Sequence, residues 1–215
     1  MSWNEVYRPK TFDEVVGQEK VVTYYTEGLS NGNIDHAIFT GNSGVGKTTM
    51  AKVVANEFDV DILEFNGSDD RTLNFVREKV IPAMRYVPFR GEFRLVFIDE
   101  CESMLKEAWF CLRSPLEKYE HNAKVIFSCN DDVVPPYIRS RCIAFNFPPI
   151  SKSEMKKRLQ FIAQEEGLQI DDKVFESICE KSKGDLRKAV KLLEGYKNKA
   201  LAFGDDEFSE LFTLM

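Results

Sequence analysis

The run Gly41-Asn42-Ser43-Gly44-Val45-Gly46-Lys47-Thr48-Thr49 satisfies the pattern G-x-x-x-x-G-K-[ST] through Gly41, Gly46, Lys47 and Thr48. Glycines let such a loop turn successive backbone N–H groups towards phosphates. Lys47 adds a point charge at the β and γ positions, and the Thr48 hydroxyl can ligate Mg²⁺. The spacing therefore predicts a nucleoside triphosphate site. An accidental glycine-rich turn would lack the flanking context: residues 36–40 read as a short buried strand, and 48–57 as a helix whose N-terminus faces the anion.

A second cluster follows the apolar run 93–98, which ends in Asp99 and Glu100. Behind a phosphate loop this is the order of a Walker B site, with Asp99 assigned to the metal and Glu100 to the attacking water. Taken alone, the two acids are equally a helix N-terminus favoured by the macrodipole. Asn130, after the run 124–129, is placed to touch the γ-phosphate or the water, although asparagine at a strand end also serves simply as a turn residue. Arg139 and Arg141 precede the apolar stretch 143–147, and by charge alone they read as solvated surface arginines.

These groups need a frame that gathers them. Four apparent strands, 36–40, 61–66, 93–98 and 124–129, alternate with helical stretches, which predicts a parallel sheet with crossover helices. Such sheets bind ligands beyond the carboxyl ends of their strands, and Gly41, Asn66, Asp99 with Glu100, and Asn130 all fall at that edge. Thr11 to Glu14 has capping-box spacing before a short helix, and 18–29 reads as a second helix. Asp69 or Asp70 is placed to cap a helix running to about Tyr86. In the stretch 103–120, Pro115 predicts a kink or an early stop. Pro148-Pro149 marks a boundary, after which helices are expected at 151–166, 171–181 and 185–198 and no further strands. The segment 205–215 places Phe208, Leu211 and Phe212 on one helical face that requires a partner.

The composition bounds the partners. The chain has 215 residues, 43% of them hydrophobic, enough for a good core in one domain plus a smaller one. No basic-then-apolar leader and no membrane-length apolar run is present, so a cytoplasmic location without a membrane partner is expected. Five cysteines without C-x-x-C spacing predict reduced thiols rather than zinc. A net charge of −6 argues against coating nucleic acid nonspecifically, while leaving room for a local basic track.

Together these motifs resemble the AAA+ ATPases, and more closely the clamp-loader ATPases of the replication factor C small-subunit type and their phage counterparts. Residues 6–18 look like that family's adenine-side N-terminal box, and 63–71 like its L-E-L-N-A-S-D-D-R stretch. Asp99-Glu100-Cys101-Glu102 resembles the D-E-A-D box, and Phe127-Ser128-Cys129-Asn130 sensor 1. Ser140-Arg141-Cys142 is similar to the S-R-C arginine-finger motif, and 184–189 to sensor 2. The resemblance covers nearly the whole chain. It implies an α/β fold of AAA+ P-loop type, with a RecA-like parallel sheet flanked by helices in residues 1–149 and a small all-helical lid in 150–215.

The resemblance also implies roles. Tyr7, Arg8, Pro9 and Val16 become adenine-side contacts, and 41–49 the phosphate cradle for ATP with Mg²⁺. Arg187 becomes the lid residue sensing the γ-phosphate, and Arg141 a finger acting in trans on a neighbour's ATP. The implied partners are other clamp-loader subunits, a sliding clamp and primer-template DNA, with Arg71, Arg77 and Lys106 as candidate phosphate contacts. Asn42-Ser43 replaces the family's Pro-Pro, and Cys101 and Glu102 replace Ala and Asp. The family's C-terminal helical collar is not reached by this sequence, which leaves the mode of assembly open. Two other functions compete: a branch-migration motor sharing the opening box and phosphate loop, and a noncatalytic ATP-binding scaffold or initiator-type switch.

Overall fold

In the computed structural model, residues 1–203 are described, with side chains through Lys197. The apolar face expected at Phe208, Leu211 and Phe212 lies outside the described residues. The strands are β1 Ala37–Thr40, β2 Ile62–Asn66, β3 Arg94–Asp99, β4 Ala123–Cys129 and β5 Ile143–Asn146. They form one parallel sheet in the order β2-β3-β4-β1-β5. The four expected strands are present within a residue or so at each end. The fifth lies in the apolar stretch before Phe147, where four residues carry too little period to separate strand from loop by sequence.

The helices are α1 Trp3–Val6, α2 Glu19–Asn31, α3 Lys47–Glu57, α4 Leu73–Phe75, α5 Ile81–Arg85, α6 Lys106–Lys118, α7 Pro136–Arg139, α8 Lys152–Glu165, α9 Asp172–Ser182 and α10 Leu186–Phe203. Because successive strand side chains point to opposite faces, the sheet builds two cores. Val96, Ile98, Val125 and Phe127 pack with Val80, Met84, Trp109 and Leu112 from the α4–α6 side. Leu95, Phe97, Ile126 and Phe39 pack with Tyr25, Met50 and Val54 from the α2 and α3 side.

Several local expectations change. The Thr11 capping box does not form: residues Phe12–Glu14 make a single 3₁₀ turn without a side-chain cap, and Phe12 N donates to Glu57 Oε1 of α3 at 2.9 Å. Thr72, not Asp69 or Asp70, caps α4 by accepting from Phe75 N, while Asp70 accepts from Thr72 in an Asx turn. The helix to Arg85 is interrupted by a π segment, Val76–Val80. Pro82 follows it; the proline ring lacks an N–H and crowds the carbonyl four residues back, and the wider π turn gives it room. The helix expected from Ser103 begins at Lys106, after a 3₁₀ turn at Cys101–Ser103, and continues past Pro115 to Lys118.

The last three helices form a third core around Met155, Leu159, Phe175, Ile178, Ala189 and Leu193. Ser151 and Glu154 make a full capping box at the start of α8, and Asp171 caps α9. The N-terminal segment belongs to this core. Trp3 is buried in it, Trp3 N donates to Glu194, Asn4 Nδ2 donates to the Arg187 carbonyl, and Tyr7 Oη donates to Glu166 at 2.7 Å. Among the described residues no helix is long and apolar enough to cross a membrane.

Candidate active site

The strand order decides which side chains meet. β4 lies between β1 and β3, so the residues leaving β4 and β3 stand in a row on one side of the loop leaving β1, and Gly41 N donates to the Cys129 carbonyl across the gap. The loop then turns into α3, whose first residue is Lys47. Its ammonium donates to the carbonyls of Gly41 (2.5 Å) and Asn42 (2.9 Å) and to Asn130 Oδ1 (3.1 Å). Lys47 is buried; that burial lowers its pKa, opposed chiefly by the Asp99 and Glu102 carboxylates. Thr48 Oγ1 donates to Asp99 Oδ2 at 2.8 Å. One hydroxyl and one carboxylate, both hard oxygen donors, suit a Mg²⁺ ion that takes most of its shell from phosphate oxygens and water.

Glu100 is exposed and adopts left-handed backbone at φ +50°. That costs a non-glycine residue on the order of 1 kcal/mol or more, and it aims the residue into the cleft that Asp99 and Asn130 also line. Asn130 is held from behind by Glu102, whose carboxylate accepts from Asn130 Nδ2 at 2.6 Å and from Asn130 N at 3.3 Å. This fixes the amide with its oxygen towards Lys47. Reading the sequence gave Glu102 no role of its own, since a pair 28 residues apart leaves no local signature.

The cleft runs from these groups to a wall built by the N-terminal segment and the lid. Tyr7, Arg8, Pro9 and Val16 line it, together with Ser43, Gly44, Val45, Gly46, Thr49 and Arg187. Trp3, Asn4, Ile150, Arg158, Ile162 and Val190 line it as well and were not anticipated. Arg158 Nη2 donates to the Tyr7 carbonyl at 2.6 Å, and the Tyr7 hydroxyl is bound by Glu166, which raises its pKa to about 12. The lid thus grips both ends of Tyr7. Arg8 donates to Glu5 at 2.6 Å and reaches Thr49 Oγ1 at 3.5 Å.

Arg141 is not gathered into the cleft. It precedes β5 by two residues, and Ile143 of β5 pairs with Ala37 at the start of β1, the edge opposite Gly41. The four-residue strand between those edges spans roughly 13 Å at about 3.3 Å per residue. Arg71, Arg77 and Lys106 are also outside the cleft. All three are exposed; Leu105 N donates to the Arg71 carbonyl at 3.1 Å, and Arg77 and Lys106 line one groove with Phe110 and Tyr137.

Residues 37–148 match the ATPase family associated with various cellular activities (AAA), and 157–197 match the RCF1/5-like AAA+ ATPase lid domain. Replication factor C small subunit 1 of Pyrobaculum arsenaticum is 40% identical over 200 residues, covering 89% of this chain and 60% of that protein. The replication factor C small subunit of Archaeoglobus fulgidus is 37% identical over 201 residues, covering 90% of this chain and 63% of that protein. This chain therefore spans about 60% of the length of the curated relatives it matches. Among solved structures, the Thermotoga maritima RuvB Holliday junction branch migration motor superimposes with a TM-score of 0.79 at 23% identity, over 91% of this chain and 67% of that one; it is alike in fold. With more than half its length matched by one family and the phosphate loop, acidic pair and Asn130 converging in one cleft, the chain belongs to the AAA family of ATPases and carries a lid of the RCF1/5-like type.

Proposed function

We propose that this chain is the ATPase portion of a sliding-clamp-loader subunit, made of a nucleotide-binding α/β domain (residues 1–149), whose first helix packs on the lid, and a helical lid that begins at residue 150. ATP binding would assemble and open a clamp on primer-template DNA, and hydrolysis would release it. The observation that carries this reading is a split constellation: Lys47, Thr48, Asp99, Glu100 and Asn130 share one cleft, while Arg141 stands at the opposite edge of the sheet. A site completed by a neighbour's arginine suits an enzyme that works in a ring of subunits. The names of the most similar relatives, replication factor C small subunits, support the same choice.

In this reading Lys47 exchanges its carbonyl partners for the β and γ phosphates. Thr48 and Asp99 would hold Mg²⁺, which neutralises phosphate charge when bound. Glu100 polarises the water for in-line attack, and Asn130, fixed by Glu102, orients it against the γ-phosphate. Arg187, from the first turn of α10, reads the γ-phosphate from the lid. Trp3, Tyr7, Pro9 and Val16 close the base side. Arg71, Arg77 and Lys106 contact the DNA backbone.

The test is ATP turnover by the chain alone, with partner subunits, and with primed DNA and a clamp added in turn. Low turnover alone and strong stimulation by primed DNA with the clamp supports the reading. Stimulation by four-way junctions rather than primed DNA would favour a branch-migration motor, and ATP binding without turnover under every condition a scaffold.

A further inference from the structure

The guanidinium of Arg141 is held on nearly every side. Its Nε donates to Glu117 Oε1 at 2.7 Å, and Nη2 lies 2.5 Å from the same oxygen. Nη1 donates to the Tyr137 carbonyl at 2.5 Å and to Ser140 Oγ at 3.2 Å. Of the five N–H groups a guanidinium carries, these contacts engage four, leaving one Nη2 hydrogen uncommitted among the described residues. An arginine used on another molecule ordinarily loses much rotamer freedom on engagement. Here that freedom is already spent.

The holder is itself fixed. Glu117 is the penultimate residue of α6, and the carbonyl before it, Leu116 O, lies 2.9 Å from His36 Nε2. The other His36 nitrogen, Nδ1, accepts from Val125 N of β4 at 2.9 Å. Accepting at Nδ1 forces the proton onto Nε2, so the buried ring joins the sheet to the last turn of α6 in a single tautomer. At the other end, α6 follows the 3₁₀ turn containing Glu102, which grips Asn130. One 13-residue helix, about 20 Å long at about 1.5 Å per residue, thus lies between the turn that holds Asn130 and the carboxylate that holds Arg141.

From this geometry we infer that Glu117 is a positioning residue for Arg141, setting the plane and direction of the guanidinium so that its one free Nη2 N–H meets a neighbouring subunit's nucleotide. The inference rests on the proposal that Arg141 acts in trans. An ordinary surface ion pair would contribute little to anything. What sets this pair apart is that the carboxylate binds the Nε edge while a backbone carbonyl and a hydroxyl bind Nη1, so no single-bond rotation of the arginine keeps all of them.

The test uses assembled subunits stimulated by primed DNA and clamp. Glu117→Ala should lower stimulated kcat by roughly tenfold to a hundredfold, the scale of a misplaced catalytic group, with ATP affinity unchanged. Glu117→Gln, which still accepts a hydrogen bond, should recover most of it. Adding Glu117→Ala to Arg141→Ala should cost nothing further. In mixed assemblies, Glu117→Ala should fail as the supplier of the finger and serve normally as the supplier of the phosphate loop. If Arg141→Ala abolishes stimulation while Glu117→Ala matches or exceeds the wild type, the positioning role is wrong and the finger stands. If Arg141→Ala itself retains full stimulation, the underlying trans reading is what fails.

Discussion

Gly44 of the phosphate loop lies directly against Asp185 at the start of α10: a Cβ on the glycine would overlap the Asp185 carboxylate. The contact continues in the backbone, where Leu186 N donates to the Gly44 carbonyl at 3.1 Å. Asp185 meanwhile caps the helix that carries Arg187, accepting from Lys188 N at 2.8 Å. Loop and lid are therefore joined at the first turn of the helix that carries Arg187.

Gly44→Ala should consequently destabilise the chain by about 1–3 kcal/mol, from left-handed backbone at φ +76° and a displaced helix cap. Thermal unfolding and ATP affinity would both register it. In an Asp185→Ala background the clash is gone, so the two losses should sum to clearly more than the double variant shows. Strict additivity would mean that the contact is not the source of the loss.

Lys47→Ala and Glu100→Gln should separate binding from chemistry. In the proposed mechanism Lys47 acts on the bound ground state, whereas Glu100 acts on water during hydrolysis. Equilibrium binding of labelled ATP should be weak for the first and near wild type for the second, with turnover lost in both. Equal loss of binding would overturn the division of roles.

The phosphate loop was legible because its chemistry is contiguous: nine residues carry the glycines, the lysine and the hydroxyl. Asp99 and Asn130 were legible because strand ends are local features and parallel topology brings them to one edge. Glu102, Arg158 and Glu166 were not, since each acts on a partner at least 28 residues away in sequence, and only the packed structure selects that partner from many exposed charges. The π segment escaped for a related reason. Helical periodicity in 69–86 survives one widened turn, so the pattern reports a helix while Pro82 reshapes it.

Stability should fall as pH drops below 6.5, because of His36. Burial is the main cause of its lowered pKa; Lys124 also lowers it, against the Leu116 carbonyl and the Glu120 and Asp35 carboxylates. With the folded pKa below the unfolded value of 6.5, the unfolded chain takes up the proton first, so His36 stabilises fully above 6.5 and progressively less below it. Glu5, Glu154 and Glu166, whose pKa values lie below 4.5, act only at lower pH. Denaturant unfolding of His36→Gln between pH 7 and 5 should show a flatter slope than the wild type. An identical slope would assign the effect elsewhere.

If Arg71, Arg77 and Lys106 face DNA, removing their charges should weaken binding alike on any sequence and reduce the dependence on salt, since phosphate contacts release counterions. Each lost contact should lower the log–log salt slope by about 0.9 for duplex DNA. Titrations of the triple alanine variant in the assembled complex at several salt concentrations measure this. An unchanged affinity and slope would leave the three as ordinary surface cations.

Arg141 provides the most direct test of whether the site is shared. The sheet puts it at the starting edge of β1 and β5, while Lys47 and Asp99 stand beyond the finishing edge. No rotamer carries it across a sheet covered by side chains on both faces, so it cannot stabilise charge on its own subunit's ATP. If it is an arginine finger, it contributes on the order of 10³ to 10⁵ in rate. Arg141→Ala should therefore bind ATP as the wild type does in a single subunit, yet lose stimulated hydrolysis on that scale. Mixing it with Lys47→Ala decides the matter. Neither variant turns over alone, but an interface that joins the intact phosphate loop of one to the intact arginine of the other should recover activity in proportion to its statistical share of interfaces. If both variants assemble and no mixture recovers turnover, or if the isolated wild-type subunit hydrolyses ATP at the assembled rate, Arg141 does not act in trans.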